Sequence, residues 1–185
     1  MLSLTYADLK ALNPCADSLK RVSKLMGGAR KWGSKKINAA QAREYGVALE
    51  DIVWVAATIA YADRDMERRI RLWLADCAAH VLHFYEKSYP NDVRPRDAII
   101  TSRAYARSET GAVAWAAAST AARAAARAAV RAAASEAARA AVSEAANAAA
   151  WAEAWTAAKN TEEVWQFDRL ILWLSDPEPT DYPIS

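Results

Sequence analysis

The chain has 185 residues, with 24 Lys and Arg against 22 Asp and Glu and a formal net charge of +2 at pH 7. That length suffices for one domain with a proper core, and so even a charge balance argues against general affinity for nucleic acid or for an anionic membrane. The charge is unevenly spread, since residues 1–48 hold nine Lys/Arg against three acids and residues 160–185 hold six acids against one Arg.

The first residues, MLSLTYADLK, lack the basic-then-apolar run of a secretory signal. The longest mostly apolar run, 52–62, is far shorter than the ~20 residues that a spanning helix needs. Cys15 and Cys77 have no repeated spacing that would suggest a disulfide framework. A cytoplasmic protein with free thiols is the expectation.

Thr5, with Asp8 three residues on, predicts a capped helix from Tyr6 to Leu12. Asn13 then reads as the next N-cap with Pro14 at the first helical position, and Cys15, Leu19, Val22, Leu25 and Met26 as its apolar residues before Gly27-Gly28 stops it. From Lys20 to Lys36 the chain holds seven Lys/Arg and no acid, with Trp32 among them. Two readings stand: a basic loop that binds phosphate and stacks a base on an exposed Trp32, or a solvated connector whose Trp32 folds back on the core. Asn38 with Gln41 predicts another capping box, opening a short helix that Gly46 closes. Residues 49–62 read as an almost wholly apolar helix with Glu50 and Asp51 in its first turn, where carboxylates are favoured.

Asp63 caps the next helix, Arg64 to Tyr89, expected to be the central one. Met66, Ile70, Trp73, Cys77, Val81, Phe84 and Tyr85 fall on one face at 3–4 spacing, and Leu72, Ala75, Ala79 and Leu82 form a second row. Tyr89-Pro90-Asn91 ends it. Asp92 is the expected N-cap of a helix reaching Arg107, with Pro95 tolerated in its first turn. Arg94 and Arg96 sit at that N-terminus, where the backbone's partial positive charge repels cations. They need carboxylates, and Asp76, Glu86, Asp92 and Asp97 are the candidates; a structural polar cluster of Asp76, Glu86, Asp92, Arg94 and Arg96 follows.

The run LWLADCAAHVL (72–82), followed by YPNDVRPRDAI (89–99), Ala104, Arg107 and a long alanine-rich tail, resembles the immunity-five-like family, alanine-rich all-helical immunity proteins of bacterial toxin systems with similar sequences in phage genomes. The resemblance covers roughly residues 60 to 158. It implies a protein that binds and neutralises another protein.

Between Ala112 and Ala158, 28 of 47 residues are Ala and none is Gly or Pro, so helix is the strong expectation. One such helix would be ~70 Å long, against a diameter of roughly 40 Å for a compact chain of this size. Two helices with a break near Ser135 or Ser143 are expected. Arg123, Arg127 and Arg131 form an i,i+4 row that costs ~0.2–0.5 kcal/mol per pair unless compensated. Compensation comes either from internal acids, notably Asp176, Glu178 and Asp181, or from an external acidic surface or phosphates. Thr161 is the expected cap of a last helix that ends at Ser175-Asp176-Pro177, and the tail beyond reads as extended or disordered.

Asp76, Cys77, His80, His83 and Glu86 lie within ten residues, but His80 and His83 point ~300° apart around the helix axis, so no metal site is expected. The chain has no strand–turn–helix with an exposed Ser and no phosphate-cradling glycine loop. No catalytic residue, metal or cofactor is assigned. The sequence predicts a single all-α domain over 1–185, a compact multi-helix bundle with a long Ala-rich helical segment. Its parts are 1–60 (N-terminal helices and basic loop), 61–111 (central helices), 112–160 (Ala-rich helices) and 161–185 (last helix and acidic tail). The expected function is non-enzymatic binding of a protein target, a toxin or a host defence factor, with Arg123, Arg127, Arg131, Lys31, Trp32, Lys35 and Lys36 as candidate contacts. The alternative is a nucleic-acid-binding accessory protein that uses the 20–36 loop and the Arg row.

Overall fold

Short polar side chains just ahead of apolar runs set several helix starts in the computed structural model, which describes residues 2–109, 111, 116, 148–175 and 177–184. The described residues are all-α: α1 (Tyr6–Ala11), α2 (Ala16–Leu25), α3 (Ala29–Trp32), α4 (Ala39–Glu44), α5 (Leu49–Ala60), α6 (Arg64–Ser88), α7 (Arg94–Ala106) and α8 (Ala148–Trp173). Two short strands, β1 (Ser3–Leu4) and β2 (Ile37–Asn38), pair antiparallel with Ser3 opposite Asn38. No sequence signal marks a strand of two residues. The expectations for Arg123, Arg127 and Arg131, and for a helix break near Ser135 or Ser143, lie outside the described residues.

The capping boxes are present. Thr5 Oγ1 accepts the Asp8 N–H at 3.2 Å and Asp8 accepts the Thr5 N–H at 2.9 Å, opening α1. Asn38 and Gln41 reciprocate in the same way at α4, and Gly46 follows it with φ +81°, a conformation that a Cβ would disfavour. Asp63 Oδ1 accepts the N–H groups of Asp65 and Met66 at 2.9 and 3.1 Å, which caps α6.

Three helix ends differ from expectation, each for a local reason. Asn13 adopts a left-handed φ of +55°, so the chain turns before helix resumes, and Cys15 becomes the N-cap of α2, its Sγ accepting the Ser18 N–H at 3.4 Å. Val93 is the N-cap of α7 and has no side-chain cap bond; Asp92 acts from one residue earlier, accepting the Arg94 N–H at 3.2 Å. Helix α8 runs unbroken through Thr161. The alanines before it favour continuing the helix, and no Gly or Pro interrupts them.

The chain divides into two units, Met1–Ile70 with Phe167–Thr180, and Arg71–Gln166 with Asp181–Ser185. In the first, Leu9, Val22, Met26, Trp32, Ile37, Val47, Ile52, Ala56, Leu170, Trp173 and Leu174 are buried. The Leu2 N–H bonds the Leu174 carbonyl at 3.1 Å. Arg43 pairs with Asp168 and lies 4.9 Å from the Phe167 ring centroid.

In the second unit the alanine row of α6 does the packing. Leu72, Ala75, Ala79 and Leu82 are buried, and the last three form a cluster with Ile99 of α7. The other row, expected to be a packing face, is buried only at its start: Val81 is 38% and Phe84 68% exposed. Small side chains admit close approach of neighbouring backbone, so the alanine side of the helix gains the contacts.

Candidate functional site

The basic segment Lys20–Lys36 lies in the first unit. Lys20, Lys24, Lys31, Lys35 and Lys36 are exposed, whereas Trp32 is only 6% exposed. The Trp32 indole N–H donates to the Lys35 carbonyl at 3.1 Å, and its ring meets that of Tyr6 edge-on at 5.9 Å. The indole therefore folds back on the core and presents no free face for stacking a base. Gly27 and Gly28 both have positive φ, +82° and +97°, which turns the chain so that the Lys31 stem crosses over Gly27; a Cβ there would lie 2.6 Å from Lys31 Cδ. Arg21 leaves the segment to bind Asp51 in bidentate fashion at 2.6 and 2.8 Å.

The α6–α7 junction in the second unit is built differently, with each arginine laid on a carboxylate. Arg94 bonds Asp92 through Nε and Nη2 at 2.7 and 2.6 Å, and the Tyr85 hydroxyl donates to the same carboxylate at 2.6 Å. These bonds, Arg94's first, hold the Asp92 carboxyl far below its ordinary range, while burial and then Asp92 push the Tyr85 phenol up. Arg96 forms a fork with Glu86 at 2.8 Å on both arms. Asp76, expected in this cluster, binds elsewhere. It is fully buried and accepts from Arg103 at 2.7 Å and from the Tyr182 backbone N–H at 2.9 Å.

Arg103 is the residue that the charge reading missed. Ile99 and Ala106, four residues before and three after it, share its helix face, and both are buried. A cation on an apolar stripe needs a buried partner, and that spacing was the available signal. Arg103 also donates to the Tyr182 carbonyl at 2.6 Å, and Arg107 pairs with Asp181. The tail is thus extended, as expected, but held by its partners. In the first unit Glu178 binds Arg68, and that bond holds the Glu178 carboxyl below its ordinary value. Of Asp176, Glu178 and Asp181, expected as compensation for the Arg row, Glu178 is engaged with Arg68 and Asp181 with Arg107, and Asp176 lies outside the described residues.

His80 Nδ1 lies 2.8 Å from Glu162 Oε2, and its ring stacks on Trp165 at 3.7 Å with the planes 3° apart. His83 Nδ1 bonds the His80 carbonyl at 3.0 Å instead. The two imidazoles diverge, and no group of three or more His, Cys, Asp or Glu converges as a metal site among the described residues. No helix among the described residues is long and apolar enough to cross a membrane.

On α6, Leu74, Cys77, Val81 and Phe84 fall within an arc of about 80°. Leu74, Val81 and Phe84 are 53%, 38% and 68% exposed. An apolar face of α6 is thus open to solvent, and the arginines of the α6–α7 junction are satisfied by internal acids. The chain matches the model of a family described as Imm-5 like putative immunity protein over residues 61–169, more than half of its length, and it belongs to that family. The matched span holds α6, α7, the apolar face and most of α8. No curated protein and no solved structure matches the chain.

Proposed function

We propose that this protein binds another protein stoichiometrically and neutralises it, the target being a toxin or, in a phage setting, a host defence factor. The observation that carries this reading is the exposed row Leu74, Val81 and Phe84 on α6, inside the span that the family shares. Apolar side chains aligned on one helix face and left in water favour burial against a partner, by roughly 25 cal/mol per Å² removed from solvent. The nearly neutral net charge fits a target other than a strongly basic nuclease, whose inhibitors tend to be acidic for steering. The buried Trp32 takes the stacking platform away from the nucleic-acid alternative.

The test is a pull-down of the tagged chain from its native cells, with and without nuclease, read by mass spectrometry and native mass. One protein recovered one-to-one in both arms is expected, and Phe84→Asp, on a side chain already 68% exposed, removes it while leaving the helical circular dichroism intact. Recovery of nucleic acid, with any protein lost on nuclease treatment, overturns the reading.

A further inference from the structure

The second unit holds residues 181–184 in a groove made by α6, α7 and α8, in the way a receptor holds a peptide. Both backbone groups of Tyr182 are engaged: its N–H donates to Asp76 Oδ1 at 2.9 Å, and its carbonyl accepts from Arg103 at 2.6 Å. The Asp181 carboxylate pairs with Arg107. The Tyr182 ring meets His80 and Trp165 edge-on, at 5.3 and 5.1 Å. Tyr182 and Ile184 pack against Ala75, Ala79, Leu82 and Ile99. Every feature of the segment is recognised: a carboxylate, an aromatic ring, an extended backbone and an aliphatic side chain two residues on.

We infer that this groove is a docking site for an extended segment of a partner protein, of the pattern acid, aromatic, any residue, aliphatic, and that the chain's own tail occupies it in cis. The inference rests on the protein-binding reading above and adds the chemistry of the partner segment. Two observations separate it from a tail that merely completes the fold. The family match covers residues 61–169, so Asp76, His80, Arg103, Arg107 and Trp165 lie inside the matched span, whereas the segment that fills the groove lies outside it. The tail is also an incomplete ligand. Arg103 Nε is buried without a hydrogen bond and lies 3.7 Å from Asp181 Oδ2, beyond bonding distance. A buried donor left unpaired costs free energy, and a segment whose carboxylate reaches Nε recovers it. Glutamate, longer by one methylene, is such a residue.

The groove also explains how the tail is able to leave. Asp76 and Arg103 are bonded directly to each other at 2.7 Å, so each charge has a partner that does not belong to the tail. Pro183 fixes its own φ and has no N–H to lose. A partner segment must displace the tail, and its apparent affinity falls by the fraction of chains in which the groove is open.

The experiment uses a fluorescein-labelled peptide, PTDYPIS, and a chain ending at Thr180 whose helical content is verified by circular dichroism. Fluorescence anisotropy is expected to show saturable one-to-one binding to the shortened chain and at least ~10-fold weaker binding to the intact chain. Peptides with Ala at the Asp or the Tyr bind at least ~10-fold more weakly, and the peptide with Glu in place of Asp binds more tightly. A folded shortened chain that ignores the peptide, or that takes the reversed sequence equally well, overturns the proposal. Where truncation unfolds the protein, the full-length Tyr182→Ala/Ile184→Ala chain is measured instead. If that chain also loses its helix signal, the tail is a fixed part of the fold and the groove is no docking site. No target enters this assay, so a negative result together with a protein recovered in the pull-down removes the groove alone. Peptide binding without any recovered protein removes the neutralising role.

Discussion

The basic segment 20–36 of the first unit and the α6–α7 region of the second are both rich in cations near aromatic side chains, yet they use them in opposite ways. In the first, five lysines stand in solvent around a tryptophan that has turned inward. In the second, Arg94, Arg96, Arg103 and Arg107 each lie on a carboxylate, and the aromatic His80, Trp165 and Tyr182 gather at a groove. The difference is whether acids stand within reach. Residues 20–36 contain none, whereas α6 and the tail supply Asp76, Glu86 and Asp181 to α7. Where acids stand within reach, the planar fork of arginine finds internal carboxylates; where none does, the lysines are left in solvent.

The comparison breaks most sharply at its buried pair. Asp76→Ala removes the hydrogen-bonded carboxylate of the Arg103 guanidinium and leaves it only Asp181 at 3.7 Å, in a site where Asp76 is 0% and Arg103 8% exposed, and is expected to cost up to about 3–5 kcal/mol in urea unfolding. The double variant Asp76→Leu/Arg103→Met recovers most of that loss, since apolar replacement of both partners is often neutral or stabilising. Recovery of nothing would show that the pair is held for a reason besides its mutual charge. In the first unit the large effect lies with the tryptophan and not the lysines. Trp32→Ala is expected to cost about 3–5 kcal/mol, whereas Lys31→Ala, Lys35→Ala and Lys36→Ala each stay within about 0.5 kcal/mol. A lysine variant that costs as much as Trp32→Ala would mean that the segment is structural throughout.

Much of this was legible because it is local. The capping boxes at Thr5 and Asn38, the cap at Asp63 and the stop at Tyr89-Pro90 depend on a few adjacent residues, and each appears where the spacing puts it. The all-α class and the family followed from periodicity and from the 72–99 run. What was not legible depends on distant partners. The sequence offers four acids to Arg94 and Arg96, but only the fold assigns Asp92 to one and Glu86 to the other, and gives Asp76 to Arg103. The burial of α6 was legible in part: both rows read as packing faces, and Leu72, Ala75, Ala79 and Leu82 are buried, but Val81 and Phe84 are exposed. Hydrophobicity ranks Val81 and Phe84 above Ala75 and Ala79, but it is the alanine row that meets Ile99, Tyr182 and Ile184. The tail reads as extended or disordered by composition, and its order comes from residues roughly a hundred positions away, such as the bond from Tyr182 to Asp76.

A smaller effect sharpens the local half of that contrast. Asn38→Ala removes the side-chain acceptor for the Gln41 N–H, a bond of 2.9 Å, and is expected to cost about 1 kcal/mol. Asn38 also closes the two-residue strand pair with Ser3. A loss well above that of an ordinary cap, measured against Thr5→Ala at α1, would mean that the strands share its role.

The smallest expected effect is the pH dependence, and it arises in both units. Glu178 is held below its ordinary value of 4.5 by the hydrogen bond from Arg68, and Asp92 below 3.8 by Arg94 and then Tyr85. A carboxyl whose folded pKa is depressed adds stability that is fully present above its unfolded pKa and is lost as pH falls through the folded one. Stability is therefore expected to be flat from pH 7 to about 6 and to decline below about pH 5, as the unfolded chain takes up protons that the folded chain refuses. Both pairs reach solvent, so added salt weakens the effect. Urea unfolding of Glu178→Gln and Asp92→Asn between pH 3 and 7 reads the two apart: each variant is less stable at pH 7 and loses part of the slope below pH 5. A slope unchanged in Glu178→Gln would place the acid sensitivity of the first unit in another pair, such as Asp65 with Arg68, whose carboxyl is likewise lowered.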